Sequence, residues 1–101
     1  MVKLVALYKK PEDVEAFLKH YREVHTPLVK KTPGLERLEV SMIKADAFGG
    51  EPPYFMMAEM YYRDWETFNA AMKSEENKAA GKDLMSFAKG LVTLLVAEVE
   101  E

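Results

Sequence analysis

The sequence predicts an α+β fold in which four strands and two helical regions alternate as β-α-β-β-α-β. Three observations carry this. Four short segments are rich in β-branched and aromatic residues: Val2–Tyr8, Leu35–Lys44, Tyr54–Tyr62 and Leu91–Val99. Two longer stretches repeat apolar residues at three- and four-residue spacing behind helix-opening residues. Their order along the chain matches an antiparallel four-stranded sheet with its helices on one face, the ferredoxin-like arrangement. The 101 residues form a single domain over 1–101, with no repeat, linker or low-complexity tract.

Val2 to Tyr8 is apolar at almost every position, and Lys9-Lys10-Pro11 ends it. Glu12 and Asp13 open the first helix, where acids suit the helix dipole. Val14, Phe17, Leu18, Tyr21 and Leu28 form its apolar stripe. Pro27 biases Thr26 away from helical geometry, so the helix is expected to bend or end near His25. Thr32-Pro33-Gly34 is a turn. In the second strand Leu38, Val40 and Met42 share one face, and Arg37, Glu39, Ser41 and Ile43 the other. Ala45 to Pro53 is a loop. The third strand is apolar on both faces apart from Glu59. Asp64 is placed to cap a helix carrying Trp65, Phe68, Ala71 and Met72. Ser74 starts a second helical piece, loosened at Gly81, that runs to Ala88, and Lys89-Gly90 stops it.

Two helices cover only one face of such a sheet. Strands one, three and four are nevertheless apolar on both faces, as in sheets buried on both sides. A second copy of the chain packing on the free face is the simplest cover, which predicts a homodimer through sheet faces.

Composition excludes several classes. The net charge of -3 is mild, and no basic stripe suggests nucleic acid or an anionic membrane. No apolar run approaches a membrane span, and Met1 to Tyr8 is too short for a signal peptide. The absence of cysteine removes disulfides, thiolate catalysis and cysteine-ligated metal, and fits a cytoplasmic protein.

His20 and His25 are the only histidines. On an α-helix five residues span roughly 140° of rotation, so the two are expected on different faces. They lack the i, i+4 spacing of a metal pair, and no metal is expected. His25 aligns with Val14, Leu18 and Tyr21 on the buried stripe. It reads either as a neutral core histidine or as a general base at an apolar pocket. His20 lies toward the flank, at a dimer seam or in solvent. Glu59 reads either as a salt-bridge partner or as a pocket carboxylate sharing a proton with His25. Tyr61 shares a strand face with Glu59 and is the tyrosine chosen as a donor to a ligand oxygen. The other tyrosines, Tyr8 among them, read as packing aromatics. Asp83 reads as a first-turn acid after Gly81, one turn before Phe87.

The chain resembles the EthD family, in particular short stand-alone members that carry the label "EthD family reductase". The resemblance runs through Leu4-Val5-Ala6-Leu7-Tyr8 with Pro11, Phe17 and His20-Tyr21, and His25 with Pro27-Leu28. It continues through Pro33-Gly34-Leu35, Glu39-Val40-Ser41, Pro53-Tyr54, Ala58-Glu59, and Ser74-Glu75 before Asp83-Leu84, Phe87-Ala88 and Val92-Thr93. Leu91 departs from the pattern, where a second glycine would follow Gly90. The resemblance implies a dimeric α+β barrel with a pocket in each subunit. Relatives on that architecture include muconolactone isomerase, cofactor-free quinol-forming monooxygenases and aromatic polyketide cyclases. The founding EthD protein is associated with breakdown of a fuel ether. No dinucleotide fingerprint, flavin motif or redox cysteine supports a reductase, and no cofactor is expected.

The expectation is a pocket for a small apolar or aromatic ligand. His25 acts as base, Glu59 orients it and Tyr61 donates to a developing oxyanion. His20, Tyr21, Asp83 and Phe87 are assigned to substrate contact. A non-catalytic carrier of hydrophobic intermediates is the alternative, and haem held by a helix histidine a further one.

Overall fold

A computed structural model describes all residues, Met1–Glu101. The strands are β1 (Val2–Tyr8), β2 (Leu35–Met42), β3 (Met56–Tyr62) and β4 (Val92–Glu98). They form one antiparallel sheet in the order β2-β3-β1-β4, the ferredoxin-like topology expected. The helices are α1 (Val14–His20), α2 (Thr26–Lys30), α3 (Trp65–Met72) and α4 (Glu75–Ala88). β3 begins two residues later than the alternation suggested, so Tyr54 lies outside it.

Strand periodicity sorts the sheet into two faces. Val2, Ala6 and Tyr8 of β1 and Met56, Ala58, Met60 and Tyr62 of β3 are buried under the helices. The register sets Ala6 beside Ala58 on one side and Leu94 on the other. The small pair in the sheet centre leaves room above it. Phe17 and Tyr21 lie stacked at 6.3 Å between centroids, and Tyr8 meets both edge-on. Each such buried ring contributes roughly 1.5–3 kcal/mol relative to exposure.

The caps follow the sequence. The side chains of Asp13, Asp64 and Ser74 accept hydrogen bonds from the backbone N–H groups of Ala16, Thr67 and Asn77. Lys73 and Ser74 separate α3 from α4. Gly90 takes a positive φ of 81° after α4, and Leu91 does not, so a second glycine is not required there.

Gly34 is a stricter case. Its φ is +81°, and a Cβ would lie 2.5 Å from Thr67 Cγ2. Gly34→Ala is expected to destabilise the fold by about 1–3 kcal/mol, read as a lower denaturant midpoint.

The first helix departs from expectation. It does not end at His25. A π turn, Tyr21–His25, joins α1 directly to α2, and Thr26 keeps helical angles of φ -56° and ψ -45°. The Thr26 N–H donates to the Tyr21 carbonyl, an i→i−5 bond. Pro27 has no N–H for the carbonyl four residues back, and its ring would crowd that carbonyl. Widening the preceding turn accommodates the proline without breaking the helix.

The other sheet face has no cover within the chain. It presents Val5, Leu7 and Met57 around a charged patch, and Leu95 at 51% exposure on the edge strand β4. This is the two-faced apolar character the sequence foretold.

Candidate functional site

The π turn decides the geometry of the two histidines. A turn closed i→i+5 stacks residues five apart, as an α turn stacks residues four apart. His20 and His25 therefore lie on one face, which corrects the expected 140° separation. Both reach the same carboxylate. His20 Nε2 lies 2.8 Å from Asp83 Oδ1, and His25 Nδ1 lies 3.0 Å from Asp83 Oδ2. α4 supplies Asp83, and one turn later Phe87, whose ring lies 4.5 Å from His20 and 5.2 Å from His25.

An ionised carboxylate only accepts hydrogen bonds. A neutral His25 must then carry its proton on Nδ1, which leaves Nε2 with its lone pair. His25 is 5% exposed and lines a cavity of about 160 Å³ between sheet and helices. Burial pushes its pKa below the usual 6.5. The hydrogen bond and charge of Asp83 oppose that shift, and the nearby His20 adds to it. His25 is thus neutral at pH 7, as a base requires.

That depression has a stability consequence. The unfolded chain takes up this proton near pH 6.5 and the folded chain only at lower pH. Between the two values the unfolded state binds more protons, so stability falls as pH drops through that window. His25→Asn is expected to remove this share of the acid sensitivity, measured as the difference in urea midpoints between pH 7 and pH 5.

Leu4, Ala6, Tyr8, Met60 and Tyr62 form the cavity floor, with His25, Val29, Ala80 and Leu84 among the residues above it. No Lys, Arg, Asp or Glu lines it; Thr32 and Asn77 supply the remaining polar groups. Tyr8 and Tyr62 were read from sequence only as packing aromatics. Burial raises the pKa of both, so both keep their protons. Burial likewise pushes Tyr21 up to about 12. Alternation puts Tyr8 on one strand face with Ala6 and Tyr62 on one with Met60, but only the tertiary structure shows that these faces lie under the helices and share a cavity.

The structure does not bring Glu59 or Tyr61 to His25. Both lie on the opposite face of the sheet, because residues 58, 60 and 62 point under the helices and 59 and 61 point away. Glu59 accepts a hydrogen bond from Lys3 Nζ at 2.7 Å and a longer one from Tyr61 Oη at 3.3 Å. The bond to Glu59 raises the pKa of Lys3. Arg37 stacks 4.1 Å from the Tyr61 ring centre and pairs with Glu39. Glu59 and Glu39 face one another across β3 and β2, and Lys3 and Arg37 offset that repulsion. The salt-bridge reading of Glu59 is the one the structure carries. His20, Tyr21, Asp83 and Phe87, expected to touch substrate, do not line the cavity; they form the wall behind His25. No group of three or more acidic or histidine side chains could hold a metal ion. No helix is long and apolar enough to cross a membrane.

Comparison with known proteins agrees with this architecture. The family model described as "EthD domain" matches residues 9–90. An uncharacterised 11.0 kDa protein from the thcB-thcC intergenic region of Rhodococcus erythropolis is 33% identical over 99% of this chain and 96% of its own. A solved EthD family protein from Bacillus halodurans is 47% identical, with a TM-score of 0.93 and 99% of both chains covered. The fold alone is shared with two more distant structures. One is the hydroxynitrile lyase of Passiflora edulis, 11% identical, with TM-score 0.78 and coverage of 99% and 94%. The other is a dimeric ferredoxin-like protein of unknown function from Bacteroides fragilis, 17% identical, with TM-score 0.64 and coverage of 97% and 95%. The chain belongs to the EthD family.

Proposed function

We propose that this protein takes a small uncharged ligand, about the size of one six-membered ring, and moves a proton on it with His25. One observation carries the reading: His25, hydrogen-bonded through Nδ1 to Asp83, lines a cavity that no Lys, Arg, Asp or Glu shares. A cavity of about 150 Å³ accommodates benzene. A charged ligand would find no compensating side chain in the lining. A porphyrin, with four linked pyrroles, exceeds this space, so haem is not part of the proposal.

His25 Nε2 takes a proton from an acidic C–H or phenolic O–H. The bond's electron pair moves onto the ligand, and a carbonyl oxygen becomes an oxyanion. Tyr8, protonated and lining the same cavity, donates a hydrogen bond to that oxygen. The proton then returns from Nε2 to another atom of the ligand. Asp83 takes the orienting role first given to Glu59, and Tyr8 the donor role first given to Tyr61. The distant likeness to a hydroxynitrile lyase is compatible with small-molecule chemistry on this fold.

Two copies joined through the open sheet faces complete the proposal. The apolar residues left open there and the dimeric ferredoxin-like neighbour support it.

The test follows deuterium exchange at the α-carbon of cyclohexanone. The protein is expected to accelerate exchange saturably, and His25→Ala to reduce that acceleration by about 10²–10⁴-fold with the fold retained. Undiminished exchange in the variant rules out His25 as the base. Saturable binding with no exchange, across ketones and phenols of this size, points to a carrier.

A further inference from the structure

Asp83 is a largely buried carboxylate with no lysine or arginine partner. Its side chain is 13% exposed, and the two imidazoles are its only hydrogen-bond partners; Ser86 bonds only its backbone carbonyl. Each histidine occupies a different oxygen. A carboxylate held through one oxygen can rotate about its Cβ–Cγ bond, and one held through both cannot do so without breaking a charge-assisted hydrogen bond. Phe87 packs against both rings and restricts their tilt. His20 lies on the outer side of this cluster, one-third exposed, beside a surface groove formed with Pro11, Asp13, Ala16 and Phe87. It does not touch the cavity.

We propose that His20 is a positioning residue that acts through Asp83. By holding Oδ1, it keeps Oδ2 on His25 Nδ1 and so keeps the lone pair of His25 Nε2 turned to the cavity. This rests on the reading of His25 as the base and gives it a second support, from outside the pocket. The π turn is what makes this possible. Without it, a histidine five residues before His25 would face elsewhere.

The experiment is long-range ¹H–¹⁵N NMR of the histidine rings in the full chain, which needs no substrate. In the wild type, His25 is expected to be protonated at Nδ1 and bare at Nε2. His20→Leu removes the donor to Oδ1. The Nε2–H tautomer of His25 is then expected to become populated, and exchange of its Nδ1 proton with solvent to speed up roughly tenfold or more. His20→Gln keeps an N–H donor and is expected to restore the wild-type ring signals. If His20→Leu does not fold, His20→Met takes its place in the same comparison. Unchanged His25 signals in the leucine or methionine variant overturn the proposal. So does failure of the glutamine variant to restore them, since ring packing rather than hydrogen bonding would then be at work. The base reading fails separately: a His20 variant with a displaced tautomer but undiminished cyclohexanone exchange refutes His25 as base and leaves the positioning role standing.

Discussion

Asp83→Asn is expected to lower catalysed proton exchange by about 10²–10⁴-fold and to leave the sheet and helices intact. The amide has nearly the shape of the carboxylate but only one oxygen, whereas two imidazoles donate to Asp83 at 2.8 and 3.0 Å. One ring must then face an N–H. Where that ring is His25, its Nδ1 becomes an acceptor and its proton moves to Nε2. The cavity is then offered a proton where it had a lone pair. The effect falls on the turnover rate more than on binding, because the cavity lining is unchanged. The measurement is exchange kinetics at pH 7 alongside the unfolding midpoint. Full activity in a folded Asp83→Asn protein shows that His25 does not depend on this carboxylate.

The second large effect concerns the open sheet face. Leu95→Lys is expected to turn the proposed dimer into monomers at micromolar concentration. Leu95 is 51% exposed in the single chain, so the substitution changes monomer stability little. In a two-fold dimer both copies carry it, and each lysine would be buried without a partner. A cost of about 1.4 kcal/mol per copy raises the dissociation constant roughly 100-fold. Sedimentation velocity across a concentration series checks this. A dimer undisturbed by Leu95→Lys moves the interface elsewhere, and a wild-type monomer refutes the dimer altogether. The cavity lies on the other face of the sheet, so loss of the dimer and loss of His25 chemistry are separable.

Much of the architecture was legible because it depends on short-range periodicity. The apolar runs of β1 and β3, the alternation along β2, the caps at Asp64 and Ser74, and the stop at Gly90 are each set by residues within a few positions of one another. The unpartnered sheet face was legible for the same reason. The site was less so. Glu59 and Tyr61 were correctly placed together on one strand face and wrongly joined to His25. Period-two alternation shows that two residues share a face, but not which face the helices cover. Tyr8 and Tyr62 were undervalued on the same ground. The error at His20 had a different origin. It assumed α geometry, and Pro27 could have warned against that assumption. A proline that keeps its place in a helix commonly demands a local change in hydrogen-bonding register.

By itself the sequence determined the element order, the ferredoxin-like class and the double-sided strands. These rest on local propensity and on the spacing of apolar residues. Only the tertiary structure decided that His20 and His25 converge on Asp83, that the pocket lies under the helices, and that Glu59 belongs to the other face. Asp83 is 58 residues from His25 along the chain, and their contact depends on how α4 packs against the π turn. Such a contact leaves no periodic trace. It arises from packing between elements distant in sequence, and a change of helical register moves it to a different pair of side chains.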